Sequence, residues 1–209
     1  DGTPDAMNAA WGGMADTNKI SICLSAEHKT VKNILAKKAF TVSMADEEHL
    51  VSADYVGIES GNKVLDKLEK AGFHAVKSEF VEAPLIEELP MALECRLVSY
   101  DKEAELLIGE IVNVCADEKI LDEEVRMVPE KLQPLTFDPG SNTYRKLGEK
   151  AGNAFRDGLK LRQPQEAIRC PGREAQAKRQ KTKNREEKPV HIKNSRIWTG
   201  FFRIMRRKK

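Results

Sequence analysis

No run of 18 or more apolar residues occurs in this 209-residue chain, and no basic stretch followed by an apolar one stands at its start. Neither a membrane-spanning helix nor a secretory leader is therefore expected. The first residue is Asp1 rather than Met, which suggests an incomplete or processed start. The four cysteines, Cys23, Cys95, Cys115 and Cys170, form no CxxC pair and accompany no paired histidines. That spacing argues against a zinc site and against a disulfide framework, and a reducing cytoplasm fits it best. There is no GxGxxG element to read a dinucleotide. No Ser/His/Asp or Cys/His constellation can be assembled either, so no catalytic acid, base, nucleophile or metal ligand is assigned.

What is present is enough apolar material, 40% of the residues, for one sizeable core and an appendage. The net charge of +2 conceals a division. Residues 1–161 carry 19 Lys/Arg against 29 Asp/Glu, whereas residues 162–209 carry 16 against 4. One domain over 1–161 and a basic tail over 162–209 are expected. The tail shows no sustained periodicity before a short apolar patch over 197–205, so its bulk reads as disordered.

Strand patterns cover residues 20–24, 39–44, 73–80, 92–100 and 106–116, with Asp101, Lys102 and Glu103 as a hairpin turn between the last two. Cys23 reads as a buried strand residue. Helical spacing covers residues 31–38, with Thr30 as N-cap, and 64–71, closed by Gly72. A short helix is expected over 47–55, a chain break over 57–61, and a final helix over 144–155. Pro84 and Pro90 bracket a loop that no central strand could contain, and Pro129, Pro134 and Pro139 forbid long elements after Asp117. The fold class is mainly β, a β-barrel with short peripheral helices.

The chain is organised around residues 1–32. Asn8, Ala9, Ala10, Trp11, Gly12 and Gly13 put small residues around one indole, so the backbone can come close to a ring system. Trp11 either covers such a ring or fills a core. Ile20, Ile22 and Leu24 then lead through Ser25 to His28, Lys29, Thr30 and Lys32 at a helix start, a place where unpaired amides, a hydroxyl and positive charge suit a phosphate. The same pattern also describes a capped, solvated helix with surface lysines.

The ordered blocks AMNAAWGG, TVKNI, SADYVGIESGNKVLDK and IGEIVNV, together with FDPGSNTYRKLGEKAGNAF, resemble the flavin reductase-like family of FMN-binding split β-barrels over roughly residues 2–161. The resemblance implies FMN as cofactor, one per subunit, and NAD(P)H as co-substrate. It implies that Asn8, Ala9, Ala10 and Trp11 lie along the flavin ring, that Leu24, Ser25, His28, Lys29, Thr30 and Lys32 form the strand end and phosphate turn, and that Ser52, Ala53, Asp54, Tyr55, Ser60, Gly61 and Lys67 fall in a block whose Ser/Ala backbone and Lys meet the ribityl chain or phosphate. For the second block, helix-start and turn chemistry is the alternative. A homodimer with the flavin near the interface is implied as well, passing electrons to a flavin, a metal complex or a partner protein. An FMN-binding electron carrier without its own nicotinamide site is the second reading, and a barrel that has lost its cofactor is the third.

Two departures qualify this resemblance. Where many relatives read PNAM this chain has Pro4-Asp5-Ala6-Met7, placing a carboxylate where an amide would stand. A fixed negative charge near the flavin is expected to lower its potential or weaken its binding. Some relatives carry a His shortly before the glycine of their GE strand, where this chain has Lys102-Glu103-Ala104-Glu105 ahead of Gly109. The tail is expected to add nothing to flavin chemistry. It reads either as an accidental or disordered extension, the favoured reading, or as a basic arm that holds nucleic acid or an anionic membrane surface, with Trp198, Phe201 and Phe202 as a short anchor. The partner assigned is nucleic acid, bound only non-specifically, and no membrane.

Overall fold

Alternating apolar residues fix the central sheet. In a computed structural model that describes residues 2–162 and 204–207, Ile20 and Ile22 point inward from a strand whose other residues do not, the period of two expected of a half-buried strand. Along the chain the elements are β1 (Gly12–Asp16), β2 (Lys19–Cys23), α1 (Lys29–Lys37), β3 (Ala39–Ser43), α2 (Leu50–Ile58), α3 (Lys67–Lys70), β4 (Ala75–Lys77), β5 (Pro84–Ile86), β6 (Met91–Asp101), β7 (Leu106–Asp117), α4 (Pro129–Leu132), β8 (Leu135–Asp138), β9 (Thr143–Lys146) and β10 (Ile204–Arg207). The expected mainly β architecture with short rim helices is what is found.

The chain divides after Gly148. The first unit holds a six-stranded sheet in the order β1-β2-β7-β6-β3, antiparallel throughout, with β10 added parallel to β7. Two small antiparallel pairs, β4 with β5 and β8 with β9, lie off this path. Ile20, Ile22, Leu24, Phe40, Leu93, Cys95, Leu107, Ile111 and Val114 form the main core, and α1 closes it with Val31 and Ile34. A second cluster of Val56, Ala71, Phe73 and Leu89 holds the region of α2 and α3. From the unit that begins at Glu149, a 3₁₀ turn over Asp157–Leu161 is described, and Phe155 is almost fully exposed. The division expected at 161/162 falls at the edge of the described residues; the disordered character assigned to the bulk of 162–209 lies outside them except at 204–207, which form β10 beside β7.

The β6–β7 hairpin forms as read: Asp101 Oδ1 accepts the amides of Glu103 and Ala104 at 2.9 and 3.0 Å, and Glu105 turns the chain with φ 52°. Gly72, at φ +72°, ends α3 in the left-handed conformation that suits glycine.

Several local expectations change. His28, not Thr30, stands at the N-cap of α1, and Thr30 lies one turn-position inside the helix. Residue 57 does not break the chain, because α2 continues through Gly57 to Ile58; Gly57 leaves the space through which Asn8 passes, where a Cβ would come within 2.5 Å of Asn8 Nδ2. Pro84 opens β5 rather than a strand-free loop; only Leu85 of that short strand is buried. The helix expected over 144–155 is replaced by β9. Asp138 accepts the Gly140 amide at 2.9 Å and Arg145 Nε at 3.0 Å, which reverses the chain and pairs β9 with β8. Cys23 is exposed, since Ile20 and Ile22 face in and the next odd position must face out.

Candidate functional site

The first turn of α1 presents Lys29, Lys32 and Asn33 on one side, because residues three and four apart share a helix face. Opposite them, after α2, the chain turns tightly: the Ser60 carbonyl accepts the amides of Lys63 and Val64 at 2.9 Å each, and Ser60 Oγ accepts the Asn62 amide at 3.3 Å. Gly61, Asn62 and Leu65 of this turn and the three α1 residues line an open cleft of about 220 Å³. Asn62 Nδ2 donates to the Glu27 carbonyl at 3.1 Å, and Asn33 Nδ2 donates to the Thr3 carbonyl at 3.2 Å. These two bonds fasten the turn and the N-terminal segment to the start of α1. Two lysines at the first turn of a nine-residue helix make the cleft a place for an anion.

Asp5 lies behind Gly61, one of the residues that line this cleft. Its carboxylate accepts Thr30 Oγ1 at 2.6 Å and pairs with Lys67 Nζ at 2.8 Å, and both side chains of the pair are no more than 4% exposed. The Lys67 ammonium also donates to the carbonyls of Val56 at 3.3 Å and Glu59 at 3.1 Å. Its three hydrogens thus have three acceptors within the protein. Gly61 packs directly on Asp5, and a Cβ at 61 would overlap the Asp5 carboxylate. The negative charge expected to face the flavin is instead neutralised inside the protein by Lys67.

Of the residues expected at a cofactor site, the structure brings Lys29 and Lys32 together at the cleft, with Thr30 and Lys67 joined behind it through Asp5. His28 is exposed at the N-cap, and Ser25 supplies a carbonyl to the His28 amide at 3.2 Å. Leu24 is a core residue whose carbonyl accepts Tyr100 Oη at 2.8 Å. Trp11 is 59% exposed, which removes the core-filling reading of its indole. Asn8, Ala9 and Ala10 are exposed beside it. On α2, Ser52 is half-buried, Ala53 is buried, and Tyr55 packs against the second core cluster, so none of the three lines the cleft. Ser60 is exposed and shapes the turn.

Sequence reading missed Asn33, Asn62, Leu65 and Tyr144. Helical spacing from Lys29 was signal enough for Asn33. Tyr144 of β9 donates to Asp54 Oδ1 at 2.7 Å and accepts Asn8 Nδ2 at 3.4 Å, so β9 ties together α2, 90 residues before it, and the segment before β1, 136 residues before it. Burial, and then this bond to Asp54, pushes the Tyr144 phenol's pKa up. No local pattern announces such a tie. Asp46, Glu48 and His49 offer three potential metal-ligand atoms within 4.8 Å of one another. Asp46 Oδ1 already serves the His49 amide at 3.0 Å and its Nδ1 at 2.6 Å, an arrangement that opens α2.

A mainly antiparallel sheet with short helices on its rim is the architecture of the split-barrel class. The sequence model of the flavin reductase like domain matches residues 1–144, and the chain belongs to that family. The fold is similar to the flavoredoxin of Desulfovibrio vulgaris (Miyazaki F), with a TM-score of 0.71 and 34% identity, covering 75% of this chain and 85% of that one. It is also similar to a flavoredoxin from Methanosarcina acetivorans, with a TM-score of 0.69 and 25% identity over 75% and 84% of the two chains. In sequence, an uncharacterized protein of Aquifex aeolicus (strain VF5) is 34% identical over 122 residues, 57% of this chain and 62% of that protein. The uncharacterized protein YwrF of Bacillus subtilis (strain 168) is 30% identical over 130 residues, and its match too spans 62% of its length. Among the described residues no helix is long and apolar enough to cross a membrane.

Proposed function

We propose that residues 1–161 form an FMN-binding domain that passes reducing equivalents from NAD(P)H to a flavin, a metal complex or a protein acceptor. The observation that carries this reading is the convergence of Lys29, Lys32 and Asn33 with Gly61 and Asn62 on one cleft, in a chain of the flavin reductase-like family. The residues present fit the phosphate of FMN: two cationic side chains, two amide side chains and the first turn of a helix meet there. When bound, FMN supplies the hydride and electron chemistry, which is the cofactor's own. The chain's residues bind and orient. Lys29 and Lys32 supply charge, Asn33 and Asn62 fix the two walls, and the exposed Trp11 beside Ala9 and Ala10 offers a flat apolar face to a ring. Titration of the purified protein with FMN and with riboflavin tests the cleft directly. FMN is expected to bind more tightly, because riboflavin lacks the phosphate, and equal affinities would remove the assignment.

A second reading, an FMN-binding electron carrier without a nicotinamide site, is supported by the similarity to two flavoredoxins and by the β6–β7 turn, which carries Lys102, Glu103 and Glu105 and no histidine. Anaerobic mixing with FMN and NADH or NADPH separates the two. Rapid loss of flavin absorbance supports the reductase.

Homodimerisation belongs to the same proposal. β1 is exposed along its whole length, and Trp11 and Met14 are 59% and 48% exposed, an apolar edge suited to a second copy. A cytoplasmic setting is supported by Cys23 and Cys95, which are free thiols.

A further inference from the structure

A negative charge lies directly behind the cleft. Asp5 takes the Thr30 hydroxyl, pairs with the Lys67 ammonium and touches Gly61, and Gly61 lines the cleft. Thr30 lies between Lys29 and Lys32 on α1, and those two lysines reach the cleft while the Thr30 hydroxyl is turned to Asp5. Lys67 is 3% exposed and spends its charge on a carboxylate of the same chain. An anion entering the cleft therefore meets Lys29 and Lys32 as cationic partners, with the Asp5–Lys67 pair behind them close to neutral.

From this we infer that Asp5, packed behind Gly61, cancels the charge that Lys67 would otherwise present to a phosphate in the cleft, and so sets the affinity of this chain for phosphate-bearing flavins. This rests on the assignment of the cleft to the phosphate of FMN. The sign follows from charge. Removing the carboxylate charge leaves the buried Lys67 ammonium without a counter-ion, which destabilises the free protein. A phosphate in the cleft then supplies the missing negative charge, so the same change strengthens its binding.

The test is Asp5→Asn, which keeps size and a hydrogen-bond acceptor. Its expected result is a lower Tm for the free protein, FMN bound about tenfold more tightly than by the wild type, and riboflavin bound as before. Inorganic phosphate should raise the Tm of the variant more than that of the wild type. Unchanged or weaker FMN binding by the folded variant, or an equal gain for riboflavin, would overturn the proposal. Should Asp5→Asn fail to fold, Asp5→Asn with Lys67→Met removes both charges together. Because the wild-type pair is neutral, this double variant should bind FMN within about threefold of the wild type; a much larger loss would mean that Lys67 serves the phosphate despite Asp5, and the proposal fails. Lys32→Ala in the wild-type background separates the two levels of the argument. A loss of FMN affinity of about tenfold is expected there, and no loss would remove the cleft assignment itself, whatever Asp5 does.

Discussion

The ring of Phe40 in β3 occupies the space in which a side chain at Gly109 in β7 would stand: a Cβ there would overlap Phe40 Cζ and come within 2.7 Å of Cε1. The two strands are not neighbours in the sheet, since β6 lies between them, and the contact passes through the core. Gly109→Ala should therefore cost about 1–3 kcal/mol, the usual range for overpacking a filled core. Denaturant unfolding measures it. A variant as stable as the wild type would show that Phe40 has room to move aside.

Tyr144→Phe removes the bond to Asp54 and the acceptor for Asn8 while keeping the ring that packs near Phe137. A loss of about 1–2 kcal/mol is expected, as for a hydrogen bond to a charged acceptor that is half-buried. Protease cleavage before β1 should also become faster, because Asn8 loses a partner. Unchanged stability and unchanged cleavage would mean that the tie carries no load.

His74 predicts a pH dependence. Its hydrogen bond to Glu88, with Nδ1 2.6 Å from Oε1, and then the carboxylate's charge raise the imidazole pKa above the ordinary 6.5. A raised pKa means that the folded state holds the proton more tightly than the unfolded one. The resulting stabilisation is fully present below about 6.5 and is lost as pH rises through the raised folded value. His74→Ala should flatten the stability profile in that window. NMR titration of the His74 ring should give a midpoint above that of a histidine in an unfolded peptide, and a midpoint at or below it would contradict the pairing.

Thiol labelling should separate the cysteines. Cys23 is exposed and is expected to react at once under native conditions. Cys95 has no exposed surface, and its thiol pKa is pushed up to about 12 by burial and then by the adjacent Glu94 charge. Cys115 is also buried. Peptide mass mapping after native labelling should find Cys23 modified and Cys95 and Cys115 untouched until denaturant is added. Early labelling of Cys95 would indicate that the main core opens readily.

Periodicity and turn chemistry are local, and what depended on them was legible in the sequence. Ile20 and Ile22 gave β2 its inward face, Asp101 gave the β6–β7 hairpin, Gly72 gave the end of α3, and the ordered family blocks gave the split barrel. Cys23 reads as buried from its apolar neighbours, whereas the period of two set by Ile20 and Ile22 turns it outward. Tertiary structure alone decided the partners. Thr30 looked like a cap because a hydroxyl before an apolar helix commonly is one, but a carboxylate 25 residues earlier in the chain takes its hydrogen. Residues 143–146 have the polar composition of a helix or a loop, and their pairing with β8 settles them as a strand. Lys67 is indistinguishable in sequence from a surface lysine or a phosphate ligand. What fixes it is burial, which makes an unpaired ammonium so costly that its place is set by wherever Asp5 and two carbonyls converge.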